Sequence, residues 1–265
     1  MQRIMTQRIA IVSGKGGVGK TTAAINLGTA LTNYGKHVVV LDFDVTTPNV
    51  GLHLGISKVP VSLHDVLKGK NAMSDAAYKH VSGLKIIPGS IHSEDQNISQ
   101  AYLQQLPDQI LELEGKTEMI LIDAPSGIGA ETKIAMRAAD ELLLIVTPDL
   151  ISVTDALKTL SFGREQGIRI KGVLINRSRG ESFELTNENI SVLLNAPILG
   201  IIPEDSHIRK SVQLKSPVVY SYPESTSAQS YMRIAQKILG KSEAINMQKE
   251  EKETKAHKYW KRFFG

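Results

Sequence analysis

Gly14 to Thr21 reads GKGGVGKT, a spacing of glycines closed by a lysine and a hydroxyl that suits the holding of phosphate. Glycines let consecutive backbone N–H groups turn inward around oxyanions, and a helix beginning at the loop's end adds the positive end of its dipole. In this reading Gly14, Lys15, Gly16, Gly17, Val18, Gly19, Lys20, Thr21 and Thr22 form the cradle. Lys20 reaches the β- and γ-phosphates, and the Thr21 hydroxyl ligates Mg²⁺. The same residues also satisfy G-x-G-x-x-G through Gly14, Gly16 and Gly19, with Asp42 as the ribose-binding acid of a dinucleotide site. The Lys-Thr pair favours the nucleoside triphosphate, because the cradle requires it and the dinucleotide site does not. A second acid at a strand end, Asp123 in MILIDAP, is what a Mg²⁺-bound water facing the loop needs.

The base follows from a missing carboxylate. Guanine-specific sites of this architecture present Asn/Thr-Lys-x-Asp after a late strand, the acid accepting the guanine N1 and N2 hydrogens. Here that position reads Asn176-Arg177-Ser178-Arg179, so ATP is favoured over GTP.

These residues need a scaffold that brings strand ends to one loop. Short apolar, branched runs at 8–13, 37–43, 84–88, 118–123, 141–147, 170–176, 198–202 and 217–220 predict strands. Strands so uniformly apolar belong in a sheet covered on both faces. Amphipathic stretches at 20–34, 62–68, 99–113, 131–138, 152–166, 186–194 and 225–239 predict helices. Ser152 with Asp155 forms a capping-box start, and Gly35 and Gly240 stand where helices stop. The alternation implies one α/β domain over residues 1–240, a doubly wound, mostly parallel sheet with helices on both faces, the P-loop NTPase architecture. A charged linker at 241–254 and a C-terminal amphipathic helix at 255–265 follow.

Composition narrows the chemistry. With 265 residues and 42% apolar content the chain buries a large core without disulfides or structural metal. It has no cysteine, which excludes a thiol nucleophile, a thiolate metal site and a cysteine-held cluster. Of the seven histidines only His257 has an acid at i, i+4, Glu253, and no two histidines share that spacing, so a transition-metal site is not expected. No apolar run is long enough to span a bilayer or to serve as a signal-peptide core. The formal charge of +4 is concentrated in the tail, where residues 249–265 carry +3, and the nearly neutral body lacks the footprint of a nucleic-acid-binding domain.

On a helical wheel the last residues divide sharply. Tyr259, Trp260, Phe263 and Phe264 share one arc with Ala256, and Lys255, Lys258, Lys261 and Arg262 occupy the other. That is the composition of an interfacial helix, rings at the headgroup boundary and cations toward anionic lipid. A helix docked on the body and a partner-binding peptide are the alternatives.

The loop as a whole, with Lys15 ahead of the glycines, resembles the deviant Walker A motif of the MinD/ParA class of dimerising ATPases. VVVLDFD (38–44) with Asn49, ILIDAPSGIG (120–129), VLINR (173–177) and GIIPED (200–205) extend the resemblance over nearly the whole body, in the family order. Within the class the likeness is greatest to MinD, the membrane-associated ATPase that positions division sites or surface machinery, particularly its archaeal form. The resemblance implies a cytoplasmic ATPase, peripheral on the inner face of the membrane, that forms an ATP-dependent homodimer and works with an activator or cargo protein. It implies that Lys15 crosses the dimer interface to the partner's phosphates and that Asp44 orients the attacking water. Asp42 and Asp123 order the Mg²⁺ shell, and Asn176, Pro203 and Asp205 line the adenine. One departure is Val45-Thr46-Thr47-Pro48-Asn49, where a proline is similar to ATPases that deliver iron–sulfur clusters; those commonly use a cysteine pair. A DNA-partitioning ATPase of the ParA type and a metabolic ATP-dependent ligase or carrier of the same fold are the alternatives for function.

Overall fold

The computed structural model describes residues 5–56, 58–92, 95 and 98–240. β1 (Gln7–Val12) leads through the glycine loop into α1 (Lys20–Asn33) and back to β2 (Val38–Asp42). Then come α2 (Val50–His53), α3 (Leu63–Leu67), β3 (Tyr78–Lys79) and β4 (Lys85–Ile87). The pieces α4 (Gln100–Leu103) and α5 (Leu106–Gln109), with a 3₁₀ turn at Ile110–Leu113, precede β5 (Met119–Asp123). Next are α6 (Ala130–Arg137), β6 (Glu141–Val146), α7 (Leu150–Glu165), β7 (Arg169–Ser178), α8 (Asn187–Leu194) and β8 (Ile198–Pro203). The order closes with α9 (Ser206–Gln213), α10 (Val218–Ser221) and α11 (Thr226–Ile238).

The strands form one sheet in the order β3-β4-β2-β5-β1-β6-β7-β8, parallel throughout except for β3. Because side chains alternate across a strand, the apolar runs feed two cores. Ala10, Val12, Leu41, Ile122 and Leu144 pack on one face with Leu63, Ile110, Ile134, Leu160 and Ile190. Ile9, Ile11, Val40, Leu121 and Leu143 pack on the other with Leu27, Leu31, Tyr231 and Ile234. β1 lies between β5 and β6, so the chain leaves it in one direction first and returns on its other side later. At such a switch point the loops at the carboxyl ends diverge and leave a crevice, which is where doubly wound folds bind ligands. The predicted doubly wound, mostly parallel architecture is the one observed.

Three local expectations differ from the structure. Residues 218–221 form α10 rather than a strand; Pro217 caps it, and Val218 and Val219 bury against the core. The helix expected at 99–113 is broken into α4, α5 and the 3₁₀ turn, with Pro107 in the first turn of α5 lacking the N–H a continuous helix requires. The helix expected from Ser152 begins at Leu150: Asp149 is its cap, accepting from Ser152 N at 2.8 Å, so Ser152 is inside the helix.

Candidate functional site

The loop from Gly14 to Gly19 folds as it does because its glycines are sterically required. A Cβ on Gly14 would lie 2.2 Å from the Asp155 carbonyl carbon in α7, so the loop can seat against that helix only without a side chain. Gly19 turns the chain into α1 at φ 96°, in the left-handed region. No side chain caps α1, and its opening N–H groups face the loop, the arrangement that binds oxyanions.

Lys20 and Thr21 open α1 and meet the acids at the ends of β2 and β5. Lys20 is buried, and its Nζ donates to Ser126 Oγ at 2.6 Å; burial lowers its pKa, partly offset by Asp123 and Asp44. Thr21 Oγ1 donates to Asp123 Oδ2 at 2.6 Å. Asp42 and Asp123 are register partners on adjacent strands. Asp42 Oδ2 accepts from Val50 N at 2.9 Å, whereas Asp42 Oδ1 and Asp123 Oδ1 are buried without a protein partner. Burial pushes the Asp42 carboxyl well up and the Asp123 carboxyl up to about 6; the proximity of Asp123 adds to the rise at Asp42. Two buried acids with unmatched oxygens beside a threonine hydroxyl fit a hydrated divalent cation, whose charge would favour ionisation of both.

Asp44 lies one residue beyond Phe43, half-buried at the mouth of the loop. Its Oδ1 accepts from Thr47 N at 3.0 Å and Thr47 Oγ1 at 2.9 Å, while Thr46 Oγ1 reaches Glu131 at 3.2 Å on the first turn of α6. Lys15 is drawn to the rim of its own loop, its Nζ 3.1 Å from Asp149 Oδ1. Burial raises the Asp149 pKa, but donors from Thr147, Ser152 and Lys15 outweigh it and hold the carboxyl below its ordinary value.

On the far side of the loop, a cavity of about 190 Å³ is lined by Gly19, Thr22, Asn176, Arg177, Pro203, Glu204 and Asp205, with Ile208 and Arg209 from α9. Asn176 is buried; its Nδ2 donates to Val18 O at 2.7 Å, which leaves Oδ1 buried and unpartnered. Asp205 lines this cavity but directs its carboxylate into the protein. It accepts from His207 N at 2.9 Å and from Ser227 Oγ at 2.8 Å, capping α9 and fastening it to α11. Burial pushes the Asp205 carboxyl up, and these donors more than offset it, leaving it well below the usual carboxylate range.

A family model named ParA, described as NUBPL iron-transfer P-loop NTPase, matches residues 4–239. The chain belongs to the ParA family of P-loop NTPases. This ParA-family chain is 39% identical to an ATP-binding protein of Methanocaldococcus jannaschii, over 100% of its own length and 99% of the relative's. It resembles the septum site-determining protein MinD of Pyrococcus horikoshii, solved in complex with Mg-ADP. There the TM-score is 0.84 and the identity 36%, over 88% of this chain and 96% of that one. The cell division ATPase MinD of Pyrococcus furiosus superposes with TM-score 0.85 at 34% identity, over 89% and 99% of the two chains.

The ParA-family frame contains site residues that sequence reasoning passed over. Ser126 holds the Lys20 ammonium, Glu131 ties α6 to Thr46, and Asp149 holds Lys15. Only Asp149 carried a usable signal, since an Asp directly ahead of a helical stretch is a cap. Arg177, at φ 57°, and Arg209 add charge around the Asn176 cavity. Tyr259, Trp260, Phe263, Phe264, Lys258, Lys261 and Arg262 lie outside the described residues. Among the described residues no helix is long and apolar enough to cross a membrane.

Proposed function

We propose that this chain is a MinD-like ATPase whose nucleotide state switches it between monomer and dimer and thereby controls its residence on an anionic membrane surface. The observation that carries the reading is the convergence of Lys20, Thr21 and two buried acids with unmatched oxygens at the mouth of a glycine cradle. The Mg-ADP complex of the Pyrococcus horikoshii relative supports Mg²⁺ and an adenine nucleotide as the ligands.

Lys20 holds the β- and γ-phosphates, with Ser126 aiming its ammonium. Thr21, Asp123 and Asp42 hold Mg²⁺, which supplies neutralising charge at the phosphate oxygens. Asp44 orients the attacking water. Lys15 leaves Asp149 to reach the partner's phosphates, placing positive charge where negative charge develops in the transition state. The unmatched Asn176 Oδ1 accepts a hydrogen from the adenine amino group, a contact that the guanine carbonyl cannot make. With no cysteine in the chain, delivery of an iron–sulfur cluster through thiolates is not part of this reading.

The output is the tail. Residues 241–254 tether an amphipathic segment at 255–265 that binds anionic lipid weakly as a single copy. Two tails on one dimer act together and raise affinity about 10²-fold without new contacts. The test is co-sedimentation with liposomes and with DNA, in ATP and in ADP. Binding to anionic liposomes that rises with ATP supports the reading, and ATP-dependent binding to DNA instead replaces it with chromosome or plasmid partitioning.

A further inference from the structure

His64 is fully buried at the second position of α3, and the chemistry described so far does not use it. Its Nδ1 accepts from Ser90 N at 3.0 Å, which fixes the tautomer: the ring proton sits on Nε2 and is donated to the Val45 carbonyl, also at 3.0 Å. Val45 is the residue immediately after Asp44, and Ser90 follows β4, the strand paired with β2. The ring therefore bridges the segment carrying Asp44 to a separate loop.

The surroundings make that bridge rigid. A Cβ on Gly89 would lie 2.6 Å from the Pro48 Cβ and 3.5 Å from His64 Cε1, so Gly89 packs closely against both Pro48 and the imidazole. Ser90 Oγ donates to Asp95 at 2.8 Å, and Asp95 pairs with Lys68 at the end of α3 at 2.7 Å. Downstream, Val50 N is fixed on Asp42. The segment from Asp44 to Val50 is thus anchored at its far end by an acid and near its start by His64. Next to the first anchor, Asp44 is turned back on Thr47.

We propose that His64 is a positioning residue for hydrolysis: its two hydrogen bonds fix the Val45 carbonyl and so aim the Asp44 carboxylate at the attacking water. This rests on the reading of Asp44 as the residue that orients that water. A buried leucine at position 64 would fill similar space while leaving the Val45 carbonyl and the Ser90 N–H without partners. A glutamine reaches as far as the ring's Nε2 and can keep the bond to the Val45 carbonyl through its amide nitrogen, while giving up the one from Ser90 N.

The experiment compares the full chain with His64→Leu, His64→Gln and Asp44→Ala, measuring single-turnover hydrolysis and Mg-ATP affinity separately. His64→Leu is expected to slow hydrolysis by about 10- to 100-fold with nucleotide affinity unchanged, the cost of a misaimed group rather than of a lost binding contact. His64→Gln is expected to restore most of the rate. If the leucine variant does not fold, His64→Asn carries the test, because it is too short to reach Val45 and should be slow. Parental turnover in the leucine or asparagine variant, with Asp44→Ala inactive, overturns the role of His64 and leaves that of Asp44 standing. Parental turnover in Asp44→Ala overturns the reading beneath it. A glutamine variant as slow as the leucine one, or a loss confined to affinity, also overturns the proposal.

Discussion

Replacing Asp149 with Asn should make the ATP-bound dimer tighter. In the single chain Lys15 Nζ lies 3.1 Å from Asp149 Oδ1, and in the switch proposed above dimerisation breaks that contact as Lys15 crosses to the partner. The two side chains are 34% and 46% exposed, so solvent screens the pair and its worth is about 0.5 to 1 kcal/mol. Each of two protomers must give it up, which sets about 1 to 2 kcal/mol against association, or about 5- to 30-fold in the dimer dissociation constant. Asn retains an oxygen for Ser152 N, now bonded at 2.8 Å, so α7 keeps its cap. Asp149→Ala loses that cap as well and should be less stable by about 1 kcal/mol. Sedimentation velocity over a concentration series in Mg-ATP reads the constant directly, with Mg-ADP as the monomeric reference and Lys15→Ala as the background in which the gain must vanish. An Asp149→Asn dimer no tighter than the parent, from a protein that melts normally, would refute the idea that this ion pair restrains association.

Lys20→Ala should abolish Mg-ATP binding in a calorimetric titration, since the buried ammonium on Ser126 has no neighbour to replace it. Asp205→Asn should lower stability by about 2 kcal/mol in denaturant melts while nucleotide preference stays the same, because its oxygens bind α9 and α11. Asp123, lifted to about 6 by burial, keeps a proton in the folded chain that the unfolded chain releases near its ordinary 3.8. Its contribution is therefore present below that value and fades as pH rises through about 6, by at most about 3 kcal/mol. Mg-ATP should reverse the fading, so its stabilising increment in thermal melts grows from about pH 5 to pH 7.5; an increment independent of pH would contradict this. Truncation after Thr254, or Trp260→Glu, should remove salt-sensitive binding to anionic liposomes while ATP binding persists, and equal sedimentation of both chains would move the tail to a protein-binding role.

The sheet could be read from the chain because its strands are apolar on both faces, a pattern that few other settings allow. The cradle could be read because glycine, lysine and threonine each answer a separate steric or electrostatic need there. Other features depend on partners distant in sequence. PVVY at 217–220 has the composition of a strand and becomes α10 because the neighbouring helices bury its two valines. His64 reads as one more histidine in an amphipathic stretch until Val45 and Ser90 converge on it. The engagement of Lys15 by Asp149 spans 134 positions and has no local trace. Asp205 shows the reverse: its place in GIIPED suggested a base contact, and the geometry ties its carboxylate to helices.

The pairing of β1 bears on how the protein is made. Its neighbours are β5, starting from Gln7 opposite Met119, and β6, starting from Ile9 opposite Glu141. A ribosome adding about 5 to 20 residues per second has therefore run for on the order of 10 s before the strand that begins the cradle finds either flank. Until then the chain holds GKGGVGKT without the sheet that aims it, and the apolar strands β1 and β2 wait without a central partner. Nucleotide capture accordingly waits at least until β5 has been made, near the middle of synthesis.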